Sequence, residues 1–215
     1  MTNEGAGSTF RMCIDTAEIL GAGRPVVRVA ALEEVAGTLL HLTGENGAGK
    51  TTLLRALTGE AAYRGQIHLG SAVPGTVAAK AVTAYVPTDA TLLDDLTVAE
   101  NMTFMARGWG KDEEKVFVLA ERFGLRSWWD AWPMELSRGT RQKVALSIGL
   151  GLELPLTLLD EPFGTLDTFS RVVLLEALRG RVASGGLVIV TTHGDELAGE
   201  QRKVLQIREG VLVPA

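Results

Sequence analysis

The chain has 215 residues, of which 46% are hydrophobic, and its formal net charge is −5. This length is enough for one domain with its own core, with or without a subdomain. The acidic balance excludes a broad basic surface for nucleic acid or anionic lipid, and a single cysteine, Cys13, excludes an internal disulfide.

The start of the chain, "MTNEGAGSTFRMCID", is polar and lacks the apolar core of a signal peptide. The longest apolar stretch runs from Val144 to Asp160 and is interrupted by Glu153 and Pro155. It is too short to span a membrane. We therefore expect a cytoplasmic chain whose contact with a membrane depends on a partner.

The first third of the chain predicts short strands separated by turns. "FRMCID" and "PVVRVAAL" alternate and are rich in β-branched residues, and "TLLHLTG" is a short apolar run typical of a buried strand. "TTLLRALTG" then has helical spacing and ends at Gly59. "GQIHLG" and "AVTAYVP" predict two further strands.

From about Leu96 to Leu150 the apolar spacing is helical, with acidic residues 112–114 near a predicted helix start. Strand patterns return in "LPLTLLD", "GLVIVTTH" and "KVLQI", and a helix from about Thr168 to Val182 separates the first two. Alternating strands and helices predict an α/β fold with a parallel-rich sheet, into which a helical segment inserts at about 91–149.

The segment "GENGAGKTT" fits the phosphate-loop pattern G-x-x-x-x-G-K-[ST]. Its glycines let several backbone N–H groups point at one anion, and the start of the following helix adds positive potential. A lysine charge suits the β- and γ-phosphates, and a hydroxyl suits Mg²⁺ or the α-phosphate. The predicted nucleotide-binding residues are Gly44, Glu45, Asn46, Gly47, Ala48, Gly49, Lys50, Thr51 and Thr52.

Three later stretches predict the rest of the site. The apolar run "LTLLD" ends in Asp160, which is placed to hold Mg²⁺, and Glu161 follows it, where it could orient or deprotonate a water. Ser137, in "ELSRGTRQ", is a natural helix N-cap. His193 closes the strand "GLVIVTTH", a position that by itself is more often structural than catalytic.

Taken in order, these stretches resemble the ATP-binding cassette (ABC) family. The family's phosphate loop, glutamine loop, signature, acidic strand, aspartate loop and switch histidine correspond here to "GENGAGKTT", "AYVPTDATLLDDLTVAENM", "LSRGTRQ", "LTLLDEP", "GTLD" and "VTTH". The resemblance covers nearly all of residues 1–215 and implies one P-loop NTPase domain. Its RecA-like α/β core with an antiparallel β subdomain would be 1–90 and 150–215, and its helical signature subdomain 91–149.

The resemblance also implies how the site works. Two cassettes, expected to be identical chains, would close head to tail around ATP and Mg²⁺, with Asp167 at their interface. Lys50, Glu161 and His193 would be catalytic, and Mg²⁺ would be held by Thr51 and Asp160. The signature residues that would meet the partner's nucleotide are Ser137, Arg138, Gly139 and Thr140.

Three departures from the family pattern stand out. Thr88 replaces the usual glutamine, so it is a third candidate Mg²⁺ ligand with a shorter reach, and neighbouring Asp89 could substitute for it. Arg138 replaces a signature glycine, and its guanidinium would either add charge near the partner's nucleotide or point into solvent. No aromatic residue lies between Phe10 and Tyr63 to stack on the base, which leaves Ile19, Leu20 or Arg24 to cover it.

The leading hypothesis is an ATPase subunit that drives a separate transmembrane subunit from the inner face of the membrane, with export favoured over import. At least one tryptophan of "WWDAW", Trp128 to Trp132, is expected to be partly exposed and to contact that subunit. One alternative is a cassette ATPase acting on nucleic acid or ribosomes, although no basic insertion supports it and no nucleic acid is expected as a partner. The other is a non-hydrolysing half of a heterodimer.

Overall fold

The computed structural model describes residues 9–215, so residues 1–8 of the predicted core lie outside the described residues. The helices are α1 (Lys50–Thr58), α2 (Val77–Val82), α3 (Val98–Gly108), α4 (Glu114–Arg122), α5 (Arg138–Gly151) and α6 (Thr168–Ala183), with short 3₁₀ turns at Arg126–Trp128 and Pro133–Glu135. The strands are β1 (Arg11–Gly21), β2 (Arg24–Val35), β3 (Leu39–Gly44), β4 (Tyr63–Leu69), β5 (Thr83–Val86), β6 (Leu156–Asp160), β7 (Leu187–Thr191), β8 (Lys203–Arg208) and β9 (Val211–Pro214).

Within residues 9–215 these nine strands form one sheet in the order β4-β1-β2-β9-β8-β3-β7-β6-β5. The half from β8 to β5 is parallel throughout. At the other end, β1 pairs antiparallel with both β2 and β4. The predicted α/β fold with an antiparallel β part is therefore confirmed. Because the parallel strands point the same way, the loops that follow β3, β6 and β7 meet at one edge of the sheet.

Two apolar clusters cover the sheet. One packs α3, α4, α5 and α6 against one face, and includes Val188 and Val190 of β7. The other packs α1 and the antiparallel strands against the opposite face, and includes the alternate residue Ile189. This alternation along β7 is what a strand buried on both faces requires.

The helical segment between β5 and β6 shares its core with the sheet. Val144 and Leu146 of α5 lie in the same cluster as Ala84 and Val86 of β5. The division of the chain at residues 91 and 149 stays a prediction, since α5 itself continues to Gly151.

Two elements differ from the sequence predictions. The run "AVTAYVP" is predicted to be a strand throughout, but its first two residues belong to α2, which ends at Val82. The Thr76 hydroxyl accepts a hydrogen bond from the Ala79 amide and stabilises the start of this helix. The first two strands are also longer than predicted. They form one hairpin whose turn residues, Ala22 and Gly23, both have positive φ, of 48° and 80°.

The longest helix within residues 9–215 is α6, with 16 residues. No helix in this part of the chain has both the length and the hydrophobicity that a bilayer-spanning helix needs.

Candidate nucleotide-binding site

The loop between β3 and α1 has the conformation of an anion cradle. Gly44, Gly47 and Gly49 have φ values of 149°, 80° and 104°, which residues other than glycine rarely adopt. A Cβ at Gly49 would lie 2.5 Å from Val27 Cγ2, so only glycine fits there. The helix α1 begins without a side-chain cap, so its first N–H groups are available to an anion. The loop therefore fits the phosphates of a nucleotide.

Lys50 is buried at the base of this loop. Its ammonium donates hydrogen bonds to the carbonyl oxygens of Gly44, at 2.8 Å, and Glu45, at 3.2 Å. Burial lowers the pKa of Lys50, and the carboxylates of Glu161 and Asp160 oppose that shift. The exposed Glu45 and Asn46 form the rim of the loop, and so does the Thr51 side chain.

Asp160 ends β6 at the edge of the sheet where the phosphate loop lies. Its Oδ1 accepts a hydrogen bond from the Thr191 hydroxyl at 2.7 Å, and its backbone oxygen accepts one from the Thr88 hydroxyl at 3.2 Å. The Glu161 amide in turn donates to the Thr191 hydroxyl oxygen at 2.9 Å. Thr191 thus joins both acidic residues. It was not predicted, although it lies directly opposite Asp160 in the β6–β7 register.

Glu161 and His193 are in contact. Glu161 Oε1 lies 2.6 Å from His193 Nε2, and His193 Nδ1 lies 3.5 Å from the Lys50 ammonium. Burial raises the pKa of Glu161, while His193 and Lys50 act in the opposite direction. Three of the predicted residues, separated by up to 143 positions in the chain, therefore form one group at the end of the sheet.

The signature residues lie in a separate group. Ser137 caps α5 by accepting a hydrogen bond from the Thr140 amide at 3.1 Å, as its sequence context predicts. A Cβ on Gly139 would lie 2.9 Å from the Thr165 carbonyl oxygen, so the glycine permits this close approach. Within residues 9–215 no hydrogen bond or ion pair joins Ser137, Arg138, Gly139 or Thr140 directly to the phosphate loop, Asp160, Glu161 or His193.

Arg138 makes a contact that the sequence did not predict. Its Nη2 lies 2.7 Å from Asp89 Oδ1, and both side chains are largely exposed. Arg138 is thus at the surface but paired, and Asp89 is engaged by it rather than directed at Asp160. Asp89 follows Thr88, which stands at the family's glutamine position. The ion pair therefore links the loop after β5 to the start of α5.

Asp167 caps the other helix at this surface. Its Oδ1 accepts a hydrogen bond from the Ser170 amide at 2.8 Å, and its Oδ2 lies 2.7 Å from the Lys143 ammonium. These contacts, with Lys143 the largest contributor, hold the pKa of Asp167 well below its usual range. The side chain is still more than half exposed, so it is accessible to a second molecule.

A groove of about 970 Å³ opens beside the site, between the sheet and the inserted helices. Trp109 lines it and donates a hydrogen bond from Nε1 to the Lys80 carbonyl oxygen at 3.1 Å. Trp128 and Trp132 are 38% and 45% exposed, so the predicted partial exposure within "WWDAW" is confirmed. Neither of these two side chains, however, is among those lining the groove.

One candidate for covering the base is wrong. Ile19 is fully buried in the core beside the antiparallel strands, because it lies on the inward face of the alternating strand β1. Leu20 and Arg24, on either side of the hairpin turn, keep exposed surface.

A phosphate loop, a buried aspartate at the end of β6 and an adjacent glutamate–histidine contact define the class of P-loop nucleotide-binding proteins. The family model described as ABC transporter matches residues 29–164. The chain therefore belongs to the ABC transporter family, as one of its ATP-binding subunits, and these subunits are ATPases.

Individual relatives agree with this family. The chain is 36% identical over 203 residues to the Fe(3+) ions import ATP-binding protein FbpC of Pseudomonas fluorescens, covering 90% of this chain and 57% of the relative. It is 34% identical over 183 residues to the SkfA peptide export ATP-binding protein SkfE of Bacillus subtilis, covering 82% and 77%. A solved structure, described as the ATP binding subunit of an ABC transporter, superposes with a TM-score of 0.85 at 26% identity, covering 96% of this chain and 90% of that one.

Proposed function

We propose that this chain hydrolyses ATP as one of a pair of cassettes and thereby drives a separate membrane-spanning transporter subunit. The observation that carries the proposal is the contact between Glu161 and His193 beside Lys50, at the end of the strand next to the phosphate loop. A nucleotide seated on that loop would have its terminal phosphate at this group.

Glu161 is the proposed general base. Its carboxylate would orient the attacking water and accept its proton, while Lys50 and the N-terminus of α1 stabilise the negative charge on the phosphates. His193 would hold the position of that carboxylate and contact the terminal phosphate. The Lys50 ammonium already lies in the loop, where it donates to two carbonyl oxygens. Nucleotide binding would replace these acceptors with phosphate oxygens.

The residues also fit Mg²⁺, which supplies charge neutralisation on the phosphates when it is bound. Mg²⁺ in proteins is usually held by one or two carboxylates together with substrate phosphates and water. Asp160 would provide one carboxylate and Thr51 a hydroxyl, and Thr88, bonded to the Asp160 backbone, is the third candidate. Among residues 9–215 no group of three or more His, Cys, Asp or Glu side chains forms a metal cage, in keeping with an ion held jointly with the nucleotide.

The separate location of the signature group supports action between two chains. Ser137, Arg138, Gly139 and Thr140 surround the start of α5, a helix N-terminus suited to a phosphate, yet in the described part of the chain they make no direct contact with their own phosphate loop. We infer that they complete the site of a second, identical chain and that Asp167 lies at the resulting interface.

The proposed partner is an integral membrane subunit that docks in the groove beside Trp109, which would place the chain on the cytoplasmic face of the membrane. Export is the direction favoured by the sequence. Most of the relatives are named for import and one is named for export, so the proposed direction would be tested by reconstituting the pair in vesicles.

The first experiment is ATP turnover by the purified chain and its Glu161→Gln variant. We expect the variant to lose at least about a hundredfold in kcat, since the general base is removed. Glu153→Gln is a matched control, because Glu153 also has positive φ but pairs with Lys115 at the surface. Equal turnover by all three proteins would contradict the proposed role of Glu161, and no turnover by the wild type would support the non-hydrolysing alternative.

The second experiment recovers the Glu161→Gln chain from its native membranes in mild detergent with Mg·ATP. The proposal expects a polytopic membrane protein together with two copies of the cassette. Recovery of nucleic acid or ribosomal proteins instead would support the alternative function.

A further inference from the structure

His41 is a buried polar residue between two buried leucines, Leu40 and Leu42, of strand β3. It lies on β3, three residues before the phosphate loop begins, and is 5% exposed. In the sheet it is opposite Val190 of β7 and Val204 of β8. Its Nε2 lies 2.9 Å from the hydroxyl of Thr192, the residue immediately before His193.

The direction of this hydrogen bond follows from the second contact of Thr192. The Thr192 hydroxyl donates its only hydrogen to the Gly194 carbonyl oxygen at 3.1 Å. It must therefore accept from His41, which fixes His41 as the tautomer protonated on Nε2. The chain of bonds from His41 through Thr192 to Gly194 spans the backbone on both sides of His193.

Holding a histidine here is costly for the fold. Burial lowers the pKa of His41, so the ring is neutral near pH 7. Its other nitrogen, Nδ1, is buried with no hydrogen-bond partner among residues 9–215, an arrangement that carries a desolvation penalty. A leucine would occupy the same strand position without that penalty. Among residues 9–215, the hydrogen bond to Thr192 is the one polar contact of the ring. A function that compensates for the desolvation penalty would therefore act through this bond.

We propose that His41 is a positioning residue for His193. By donating to Thr192, it holds the hydroxyl in the rotamer that binds Gly194, and so sets the turn that places the His193 ring against Glu161 and Lys50. The inference deepens the proposed function, on which its kinetic part rests, and assigns a role to a residue that lies one strand away from the reacting groups.

Imidazole NMR tests the positioning without any assay of turnover. The chain has three histidines, His41, His68 and His193, so nitrogen-edited spectra are simple to assign by single substitutions. We expect His41 to be protonated on Nε2, and we expect His41→Leu and Thr192→Val each to shift the His193 resonances. His68 lies on β4, at the far end of the sheet, and its resonances serve as the internal reference. An Nδ1-protonated His41, or His193 resonances that are unchanged in both variants, would overturn the proposal.

Kinetics give the second test. His41→Leu is expected to lower kcat about three- to tenfold, the rate equivalent of one hydrogen bond, with KM for ATP within about twofold. His41→Gln, which keeps a donor, should recover most of the loss, and the double variant with Thr192→Val should fall no further than either single variant. Thr157→Val is the matched control, since Thr157 is fully buried on β6 and its hydroxyl has no partner among the described residues. It should leave kcat unchanged.

Full activity in His41→Leu, no recovery in His41→Gln, or additive losses in the double variant would contradict positioning. If the wild-type chain fails to hydrolyse ATP, the proposed function fails instead, and the imidazole resonances still decide whether His41 orients His193.

Discussion

Glu161 combines a strained backbone with a fixed side chain. Its φ of 51° lies in a region that costs a non-glycine residue roughly 1–3 kcal/mol. The strain is offset by the hydrogen bond from its amide to Thr191 and by the contact of its carboxylate with His193. In this conformation the carboxylate contacts His193, which in turn lies beside Lys50.

The raised pKa of Glu161 has a consequence for the pH dependence of ATP hydrolysis. A general base acts when deprotonated, so activity is lost as the pH falls through its pKa. Since burial raises that pKa above the usual 4.5, the acid limb of kcat/KM should lie at higher pH than an ordinary glutamate would give. Tryptophan fluorescence over the same range would confirm that the protein stays folded. An acid limb at or below the ordinary value of 4.5 would contradict this account.

The ion pair between Arg138 and Asp89 should contribute little to stability. Both side chains are largely exposed, and exposed pairs are worth about 0–1 kcal/mol. A double-mutant cycle with Arg138→Ala and Asp89→Ala, measured by urea unfolding, should give a coupling below about 1 kcal/mol that disappears in about 1 M salt. A larger coupling that survives high salt would show that the pair is buried in a state other than the one described.

At the scale of single residues, the sequence predicted those positions whose chemistry is carried by a local pattern. The phosphate loop and the acidic pair after β6 are of this kind. Thr191 and His41 were not predicted to have such contacts, because their partners are set by which strands are neighbours. His41 and Thr192 are 151 positions apart and meet only because β3 lies beside β7.

Helix α5 is packed closely against its neighbours. It carries the signature residues at its start and meets α4 at its end, where a Cβ on Gly151 would lie 2.7 Å from the Val116 Cα. Backbone atoms cannot move aside as a flexible side chain can, so the glycine fixes how near α4 and α5 approach each other.

We therefore expect Gly151→Ala to destabilise the protein by about 1–3 kcal/mol, the usual cost of overpacking. Gly180→Ala, in α6, is the matched control because a Cβ added there would have no other atom within 4 Å. That change should stabilise the protein by up to about 1 kcal/mol through helix propensity. Thermal unfolding measures both, and equal effects from the two substitutions would contradict the packing argument.

At the scale of helices and strands, prediction from the sequence was most successful for long periodic segments. The helix predicted at about Thr168 to Val182 is α6, and the helix predicted to stop at Gly59 does so. The short helix α2 was missed because six residues give too little periodicity to outweigh the β-branched residues beside it. Its signal was the capping threonine Thr76, which depends on one hydrogen bond rather than on a pattern.

For the molecule as a whole, the groove beside the site is a concavity of about 970 Å³ to which several elements contribute. Its lining comes from α1, α2, β5, α3 and α5 and from the loop after β5. That loop is held by Asn101, a fully buried residue whose side chain accepts from the Leu93 amide and donates to the Leu93 and Leu96 carbonyl oxygens. No single stretch of sequence contains the groove, so it was not predictable as a shape.

Two tryptophan substitutions separate the surfaces on which a membrane subunit could dock. If the partner occupies the groove, Trp109→Leu should reduce the amount of membrane subunit that co-purifies with the chain. If the exposed tryptophans predicted from sequence make the contact, Trp132→Leu should do so instead. Unfolding temperatures of both variants serve as the control, and full co-purification with both would contradict each docking surface.

The antiparallel and parallel halves of the sheet meet along a very short seam. Strands β2 and β9 pair at a single position, Arg28 opposite Val211, and the Arg28 amide also donates to the Gly210 carbonyl oxygen. By contrast, β1 and β2 pair over ten positions. Few backbone hydrogen bonds therefore cross the seam, and the two halves are joined mainly by the buried cluster in which Ile14 and Val27 pack with Leu40 and Leu54. Because Val27 also borders Gly49 of the phosphate loop, the entrance of that loop is shaped by side-chain packing rather than by strand pairing.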